Sequence, residues 1–515
     1  MTLTETGANT GIFQYTTGLA LSDSDTGDSA SILLVSSNPG GDTINISYTD
    51  ANNSSDTESK TLNSNTLLTG FTVTPSSTTQ IAGTPFSLTI TALKDGGTLT
   101  TYSGTVNLAK TYVSPTSGTF DISPTTSSGV SFANGVATLN VTYNDAGTLT
   151  ITATDSSDSS MTGTTSNIIF YPYDFSLTAS SLDTAAAGSA YARHMVAKPF
   201  TLAVTARNAS GTTTPNYTGT ANLAINYTTP SSSQSGSLNV SSLTSNHWSS
   251  GIATITTQSY DKWGTITITS TDAALTTRTG TSNNIIFLPK DFTVSLSSPK
   301  PSRTYYYANE NFSATVTARD YNNTTLANYQ GTVSLSGSGL NLPGDYTFTS
   351  SDNGSHTFSD LSGSTTKSTT LSVKDSTYTS ITGSTDVTVK TATLKVVSGK
   401  SPIGTAKVTL KLVDSSSNIL SEDNSTTFKV KLSESKADNS ASSGATDTSV
   451  TVNAGIASIN VKDNESEVVT ITPINPSPDM SVASGTITFS TFPGAGVGVP
   501  LWRELKDKEE GVKKE

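Results

Sequence analysis

Few residues in this sequence could take part in catalysis. The chain has 515 residues, three histidines and no cysteine, which excludes a disulfide framework, a thiolate zinc site and a cysteine nucleophile. The histidines are His194, His247 and His356. None is predicted to share a metal ion with a second ligand, so we interpret each as structural. Motifs of phosphate-binding loops, zinc proteases, dinucleotide sites and serine hydrolases are missing. The sequence therefore predicts a protein that is not an enzyme.

Calcium is the one cofactor for which the sequence offers a candidate site. The segment "DSDTGD" places Asp23 and Asp25 at alternate positions, and Gly27 provides a turn before Asp28. Hard cations favour carboxylate oxygens arranged in this way. The distal glutamate of a full helix–loop–helix site is missing, and short Asp/Ser/Gly clusters are also common turns. A calcium site at Asp23, Asp25 and Asp28 and a plain turn therefore both remain open.

Four further aspartates lie close to the ends of predicted strands. Asp155 and Asp272 follow strands directly, and Asp174 and Asp291 come just after a proline. Calcium bound between neighbouring domains would need more acidic residues than these positions supply. We therefore favour turn caps for all four.

The densest aromatic patch is "RTYYYANE", which runs from Arg303 to Glu310. Two interpretations are open. The patch is either a binding surface along a strand edge or a part of the core and its edge, and the second is favoured.

The elements that would hold these residues are β-strands. Hydrophobic residues make up 33 % of the chain and charged residues 13 %, and Val, Ile, Thr, Tyr and Phe alternate with Ser and Thr. This alternation is typical of strands with one face in a thin core and the other in water. The net charge of −12 disfavours nucleic acid and anionic membranes as partners. No apolar stretch is long enough to predict a membrane-spanning helix.

One strand pattern recurs along the chain. The segment "PFSLTITALKDGGTLTTYSGTVNLA" from Pro85 is followed by similar segments from Pro199 and Asn311. Each contains a tyrosine two residues before a glycine; these tyrosines are Tyr102, Tyr217 and Tyr329. A fourth copy from Thr405 keeps the strand–turn–strand pattern but lacks both the tyrosine and the glycine. About seven short alternating strands in about 100 residues are typical of an immunoglobulin-like sandwich.

Two related phrases lie at the ends of repeats. In "NIIFYPYDF" and "NIIFLPKDF" a proline, Pro172 or Pro289, separates the last strand of one repeat from the first strand of the next. The linkers are therefore short, about two to four residues, and proline restricts them further. The predicted fold class is all-β: tandem immunoglobulin-like β-sandwich domains in an extended rod, with a short C-terminal tail.

The predicted domain boundaries follow from these junctions. Four ranges are each assigned to an immunoglobulin-like domain: 68–172, 173–289, 290–391 and 392–492. Residues 493–515 are a Gly/Pro hinge and a charged tail. Residues 1–67 are a partial or small β-domain with three open interpretations. This segment is the back half of a domain, a small complete domain, or an open sheet that a strand of a neighbouring molecule completes.

The repeats resemble a known family. The Tyr-x-Gly segments, "NGVATLNVTYNDAGTLTITATD" and "LPGDYTFTSSDNGSHTFSDL" are similar to bacterial immunoglobulin-like domains, the repeats of invasin- and intimin-like surface proteins. The resemblance covers residues 68 to about 390 well and residues 391–492 more loosely. It implies an extracellular, stacked scaffold without catalytic activity. The shared motifs consist of core and turn residues, so they specify the fold and not a ligand.

Three functions are consistent with this organisation, and fold analogy alone does not separate them. The favoured one is an extracellular structural or adhesive scaffold: a cell-surface stalk, a filament or a surface-layer subunit. Its partners would be other copies of the protein, as a homo-oligomer or filament, or a cell-surface protein or glycan. The first alternative is a receptor- or glycan-binding adhesin module, for which the candidate is the repeat at 173–289 with "YARHMV" and "SNHWSS". The second is a non-catalytic accessory region of a larger secreted enzyme.

Overall fold

The described part of the chain consists of β-strands joined by turns. The computed structural model describes residues 68–491 except 95–96, 185–191, 300–302, 434–437 and 440–448, together with short segments between residues 4 and 63. Within these residues the regular elements are strands and two 3₁₀ turns, Ser245–His247 and Ser350–Asp352. The predicted all-β class is therefore confirmed. None of the described helices is long and apolar enough to cross a membrane.

The chain separates by its internal contacts into two units. The first comprises residues 1–193, 199–260 and 265–286, and the second comprises residues 194–198, 261–264 and 287–515. Four sandwiches, each made of two sheets, follow one another between residues 70 and 490. No described sheet contains strands from both sides of Pro172 or Pro289.

The first sandwich contains two five-stranded sheets around one apolar core. The strands of one sheet are Gly97–Thr98, Phe86–Lys94, Val136–Tyr143 and Ile122–Ser123, with Gly70–Pro75 beside Phe86–Lys94. The strands of the other are Val106–Ser114, Gly147–Asp155, Ile168–Tyr171 and Thr79–Ile81, with Thr162–Thr164 beside Gly147–Asp155.

The second sandwich has a four-stranded and a six-stranded sheet. The first sheet has the order Asp174–Ser180, Phe200–Arg207, Ile252–Gln258, Trp248–Ser249. The second has the order Ala192–Met195, Ile285–Leu288, Gly264–Asp272, Ala221–Thr229, Ser242–Leu243, with Thr279–Thr281 beside Gly264–Asp272.

The third sandwich repeats this arrangement with four and five strands. One sheet has the order Asp291–Leu296, Phe312–Arg319, Ser355–Gly363, Leu340–Asn341. The other has the order Tyr306–Tyr307, Thr382–Lys390, Lys367–Asp375, Thr332–Ser336, Tyr346–Thr347.

The fourth sandwich has two five-stranded sheets. One has the order Asp438–Asn439, Ile456–Asp463, Gly404–Val413, Thr393–Val396, Ser481–Ala483. The other has the order Gly399–Pro402, Gly485–Ser490, Val468–Ser477, Thr427–Leu432, Val450–Thr451.

Alternating residue types explain why these strands form. Along Phe86–Lys94 the side chains of Phe86, Leu88, Ile90 and Ala92 are buried, and the residues between them are partly exposed. Burial of each large apolar side chain stabilises the fold by roughly 1.5–3 kcal/mol. The outer face is covered by hydroxyl residues that pair across strands, a type of contact that adds a few tenths of a kcal/mol.

Connections between consecutive sandwiches are short. Only Pro172 and Tyr173 separate the last strand of the first sandwich from the first strand of the second. Pro289 and Lys290 occupy the same place before the third, and residues 391–392 before the fourth. Linkers of this length restrict the freedom of the chain between two sheets.

The residues that the structure describes before residue 68 form three pairs of strands. The ladders are Thr4–Glu5 with Phe13–Gln14, Ala20–Ser22 with Ser31–Leu33, and Thr43–Thr49 with Thr57–Asn63. The second pair is parallel and the others are antiparallel. The three interpretations of residues 1–67 stay open.

Candidate functional site

The repeated tyrosines form one side of a buried hydrogen-bonded pair. Tyr217 donates its hydroxyl to Oδ2 of Asp272 at 2.6 Å, and Tyr329 donates to Asp375 at 2.6 Å. Tyr102 donates to Asp155 in the same way. Burial raises the pKa of Tyr217 far above its usual range, and the hydrogen bond to Asp272 adds to this shift. The hydroxyl therefore stays protonated and serves as a structural donor.

The aspartates of these pairs also cap turns. Oδ1 of Asp272 accepts hydrogen bonds from the backbone N–H groups of Ala274 and Leu275, at 2.9 and 2.8 Å. Asp155 caps the turn at Ser157 and Asp158 with the same geometry. Each of these two carboxylates thus accepts hydrogen bonds from one tyrosine and two backbone amides, in agreement with the turn caps favoured above.

The glycine of the Tyr-x-Gly motif lies against the tyrosine ring. A Cβ atom at Gly331 would come within 2.4 Å of the Tyr329 hydroxyl oxygen, and one at Gly219 within 2.8 Å of the Tyr217 hydroxyl. Any larger residue at these positions would clash with the tyrosine ring. The motif is therefore one structural unit.

The two aspartates at the linkers have a different role from the predicted one. Asp174 accepts hydrogen bonds from Nε and Nη2 of Arg207 at 2.9 and 2.7 Å, and Asp291 is held by Arg319 at 2.7 and 2.8 Å. The prediction that these aspartates cap turns is wrong. They are register partners of the arginines on adjacent strands, and two-point binding by a guanidinium is favoured over a turn amide.

Two of the histidines are engaged in local structure. His194 is buried, and its Nε2 lies 3.0 Å from the carbonyl oxygen of Lys198. His247 accepts a hydrogen bond at Nδ1 from the backbone N–H of Thr244 at 3.0 Å, which closes the first 3₁₀ turn.

The third histidine has an acidic partner that the sequence analysis missed. Nδ1 of His356 lies 3.1 Å from Asp352, four residues earlier, and its ring stacks on Tyr346 at 3.6 Å. Burial would raise the pKa of Asp352, but hydrogen bonds from Thr349, His356 and Tyr346 lower it below its usual value. The four-residue spacing of Asp352 and His356 in the sequence could have indicated this pair.

Among the residues that favoured a ligand site in the second sandwich, Trp248 lies in the core, whereas Arg193 and His247 are exposed. Trp248 of "SNHWSS" is 9 % exposed, its ring is 4.7 Å from Tyr217, and its indole N–H donates to the carbonyl oxygen of Gly219 at 2.8 Å. This tryptophan is therefore not presented to a receptor or glycan.

Metal binding has no geometric support in the part of the chain that the structure describes. No group of three or more His, Asp or Glu side chains in it could hold a metal ion. The predicted calcium ligands Asp23, Asp25 and Asp28 lie outside the described residues, so this site stays a prediction.

The candidate functional sites are the joints between sandwiches, of which the first lies wholly in the first unit. Its centre is Asp145, which is fully buried at the end of the first sandwich. Oδ1 of Asp145 accepts hydrogen bonds from the N–H groups of Ala146 at 2.8 Å and of Asn216, in the second sandwich, at 3.1 Å. Oδ2 has no hydrogen-bond partner. Burial raises the pKa of Asp145, and the two amides oppose this shift.

Backbone groups make most of the other contacts in the first joint. The N–H of Ala209 donates to the carbonyl oxygen of Ala82 at 3.0 Å, and Nδ2 of Asn208 donates to that of Asn144 at 3.0 Å. Gly83 has a φ of +78°, and a Cβ there would lie 2.9 Å from the Ala209 nitrogen. The close approach of the two loops thus requires this glycine.

A cavity of about 180 Å³ lies beside this joint. Tyr171 and Ser114 of the first sandwich and the segment 216–220 of the second line it, with Asp272. The carboxylate of Asp272 is already bonded to Tyr217 and to two turn amides. The Asp272 carboxylate therefore serves the fold at the edge of this cavity.

The last joint lies wholly in the second unit and is built from side chains. Arg303 has no exposed side-chain surface and donates to both oxygens of Glu310, at 2.8 and 2.7 Å. Its Nε is 3.8 Å from Oδ2 of Asp423, in the fourth sandwich, and its guanidinium lies 4.4 Å from the Tyr307 ring centroid. The "RTYYYANE" patch is thus buried packing, as favoured from the sequence.

Asp423 is the acceptor at the centre of this joint. Oδ2 accepts the hydroxyls of Tyr307 and Thr426, each at 2.7 Å, and Oδ1 accepts the N–H groups of Ser425 and Thr426, each at 2.8 Å. Burial alone would raise the pKa of Asp423, but the bonds from Thr426, Tyr307 and Ser425 lower it below its usual value.

A peripheral contact completes the last joint. Glu422 accepts hydrogen bonds from the N–H and hydroxyl of Thr304 at 3.0 and 2.8 Å. Lys390 lies 4.0 Å from the ring centroid of Tyr305, a distance at which cation–π attraction operates.

Two family models match the first half of the chain. Residues 48–167 match the first immunoglobulin-like domain of DUF6701, a domain of unknown function, and residues 145–280 match the third domain of DUF6701. The matches together reach from residue 48 to residue 280. They confirm the immunoglobulin-like character of the sandwiches in that range. No curated protein sequence is significantly similar to the chain.

Several solved structures are similar to this chain at low identity. Invasin, a bacterial integrin-binding protein, has 13 % identity and a TM-score of 0.30, covering 82 % of this chain and 79 % of its own. Domains 1–6 of the surface layer protein SbsC have 15 % identity and a TM-score of 0.21, covering 84 % and 56 %. The Escherichia coli adhesin FdeC has 11 % identity and a TM-score of 0.25, covering 62 % and 96 %. These TM-scores are too low to carry a functional argument.

Proposed function

We propose that this protein is an extracellular structural scaffold that holds an adhesive or self-assembling surface away from its point of attachment, without catalytic activity. One observation carries the proposal. Consecutive sandwiches are connected by two residues, and the first and last joints contain buried, specific contacts. Flexible tethering would require long polar linkers, whereas short linkers with buried joints favour a stiff array.

The surface of the sandwiches supports the same role. Outward positions are occupied by Ser and Thr, and many pair with one another across strands, as Thr315 does with Thr357 at 2.9 Å. The net charge of −12 keeps such a chain in solution and opposes non-specific association. Partners in this proposal are other copies of the chain or a protein or glycan on a cell surface. Calcium bound by Asp23, Asp25 and Asp28 is also part of the proposal, and it is supported by their spacing alone.

Electron microscopy of single particles of the whole chain tests this function. We expect elongated particles with a narrow distribution of end-to-end lengths. A variant with a Gly/Ser insertion of about ten residues between Pro172 and Tyr173 should show a broader distribution. Compact particles, or the same distribution for both proteins, would contradict the proposal. Light scattering in calcium and in EDTA, with Asp25→Asn as the control, then measures whether the metal changes the assembly state.

A further inference from the structure

The core of the fourth sandwich contains side chains that belong, in sequence, to the third. Tyr305 and Tyr307 are each 1 % exposed and pack in one cluster with Leu394, Leu420 and Phe428. The backbone of Tyr307 pairs meanwhile with Lys390 in a sheet of the third sandwich. This segment therefore contributes main chain to the third sandwich and the side chains of Tyr305 and Tyr307 to the fourth.

Asp423 stands where the first three sandwiches have a tyrosine. In the third sandwich the N–H of Leu326 donates to Ala318, and the N–H of Tyr329 donates back to Leu326. In the fourth, the N–H of Leu420 donates to Leu412 and that of Asp423 donates to Leu420. The turn is the same, but its last residue is an acceptor where the other sandwiches have a donor.

The donor missing from this turn is supplied by Tyr307. In the third sandwich Tyr329 of the turn donates to Asp375 at a strand end. In the fourth, Asp423 of the turn accepts from Tyr307, which lies 116 positions earlier in the chain. The glycine that the tyrosine ring requires is also absent there, because Ser425 occupies its position.

We propose that residues 303–307 are an integral part of the fold of the fourth sandwich, which is incomplete without them. Tyr307 provides the hydroxyl and ring of the missing tyrosine, and Arg303 provides a positive charge close to a fully buried carboxylate. A fragment that began at residue 392 would lack both. The third and fourth sandwiches therefore open together at this joint and not independently.

Hydrogen exchange of the whole chain, read by mass spectrometry, tests this dependence. Tyr307→Phe removes one hydroxyl and leaves the ring, so the protein should still fold. We expect amides in Thr427–Leu432 and Ile456–Asp463 to exchange about ten-fold faster, because a charge-assisted hydrogen bond to a buried acceptor is lost.

Tyr306→Phe is the matched control. Tyr306 lies on the same strand, is 4 % exposed, and donates its hydroxyl to the carbonyl oxygen of Ser297 within the third sandwich. Its loss should leave exchange in the fourth sandwich within about two-fold of the native rate. The proposal is overturned if Tyr307→Phe leaves the fourth sandwich unchanged, or if both variants accelerate it equally.

Discussion

The first and last joints differ in the chemical groups that make their contacts. In the first, N–H and carbonyl groups do most of the bonding, and one oxygen of the buried Asp145 has no partner. In the last, Asp423 accepts four hydrogen bonds, and Arg303 and Glu310 form a buried pair beside it. A joint built from backbone groups tolerates changes of sequence, whereas one built from charged side chains depends on each of them.

Burial raises the pKa of both carboxyl groups, but the net shifts of their pKa values have opposite directions. The pKa of Asp145 is raised because desolvation outweighs its two amide donors. The pKa of Asp423 is lowered because its donors outweigh desolvation. Folding therefore favours the protonated form of Asp145 and the ionised form of Asp423.

The largest difference between the joints should appear on removal of the buried cation. Arg303→Met leaves Glu310 and Asp423 without their positive partner, and we expect a loss of about 3–5 kcal/mol in the free energy of unfolding of the fourth sandwich. Lys110→Met is the control, because Lys110 pairs with Asp121 at the surface of the first sandwich and should cost less than about 1 kcal/mol. Urea unfolding followed by hydrogen exchange at each sandwich measures both. Equal losses would contradict the contrast between the joints.

An effect of intermediate size should appear in the pH dependence of the stability of the two joints. For Asp145 the folded pKa lies above the unfolded one, so its contribution to stability rises as pH falls through the folded value. For Asp423 the folded pKa lies below, so its contribution is present above the ordinary carboxyl range and is lost as pH falls below it. Exchange measured from neutral pH to about pH 3 should show the last joint weakening relative to the first.

Asp145→Asn isolates the first of these contributions. It removes the buried charge and keeps the Oδ1 acceptor for Ala146 and Asn216. We expect the stability of the first joint, measured by hydrogen exchange, to rise less on acidification than that of the native chain, because the titrating carboxyl group is gone. A variant whose first joint gained as much stability on acidification as the native chain would show that Asp145 is not the titrating group.

The sandwiches could be predicted from the sequence because each strand is specified by the residue types within it. Alternation along Phe86–Lys94 or Phe312–Arg319 specifies a strand and its buried face within nine residues. The position of Tyr307 could not be predicted in this way. Its partner Asp423 is 116 residues distant, and a run of three tyrosines favours core packing without specifying which core. The loss of both Tyr and Gly from the fourth repeat was visible, but only the structure shows which residue replaces the donor.

The partners of the linker aspartates could not be predicted either, although they are closer in sequence. Asp174 and Asp291 follow prolines, which favours a turn, and their arginine partners are 33 and 28 residues away. Strand register brings Asp174 opposite Arg207, and register depends on the pairing of whole strands. Short-range patterns therefore predict elements well and predict charged pairs between elements poorly.

The smallest losses of stability should follow substitutions at exposed contacts, which both joints have. Asn216→Ala removes the Nδ2 bond to the carbonyl oxygen of Ser117, at 3.2 Å in the first joint. Glu422→Gln weakens the bonds from Thr304 in the last joint. Both contacts are exposed, so each change should cost about 0.5–1 kcal/mol, measured by urea unfolding of the whole chain. Similar values would place the difference between the joints in their buried centres, at Asp145 and Asp423. If Glu422→Gln instead approached the loss expected for Arg303→Met, the rim of the last joint would be as important as its centre.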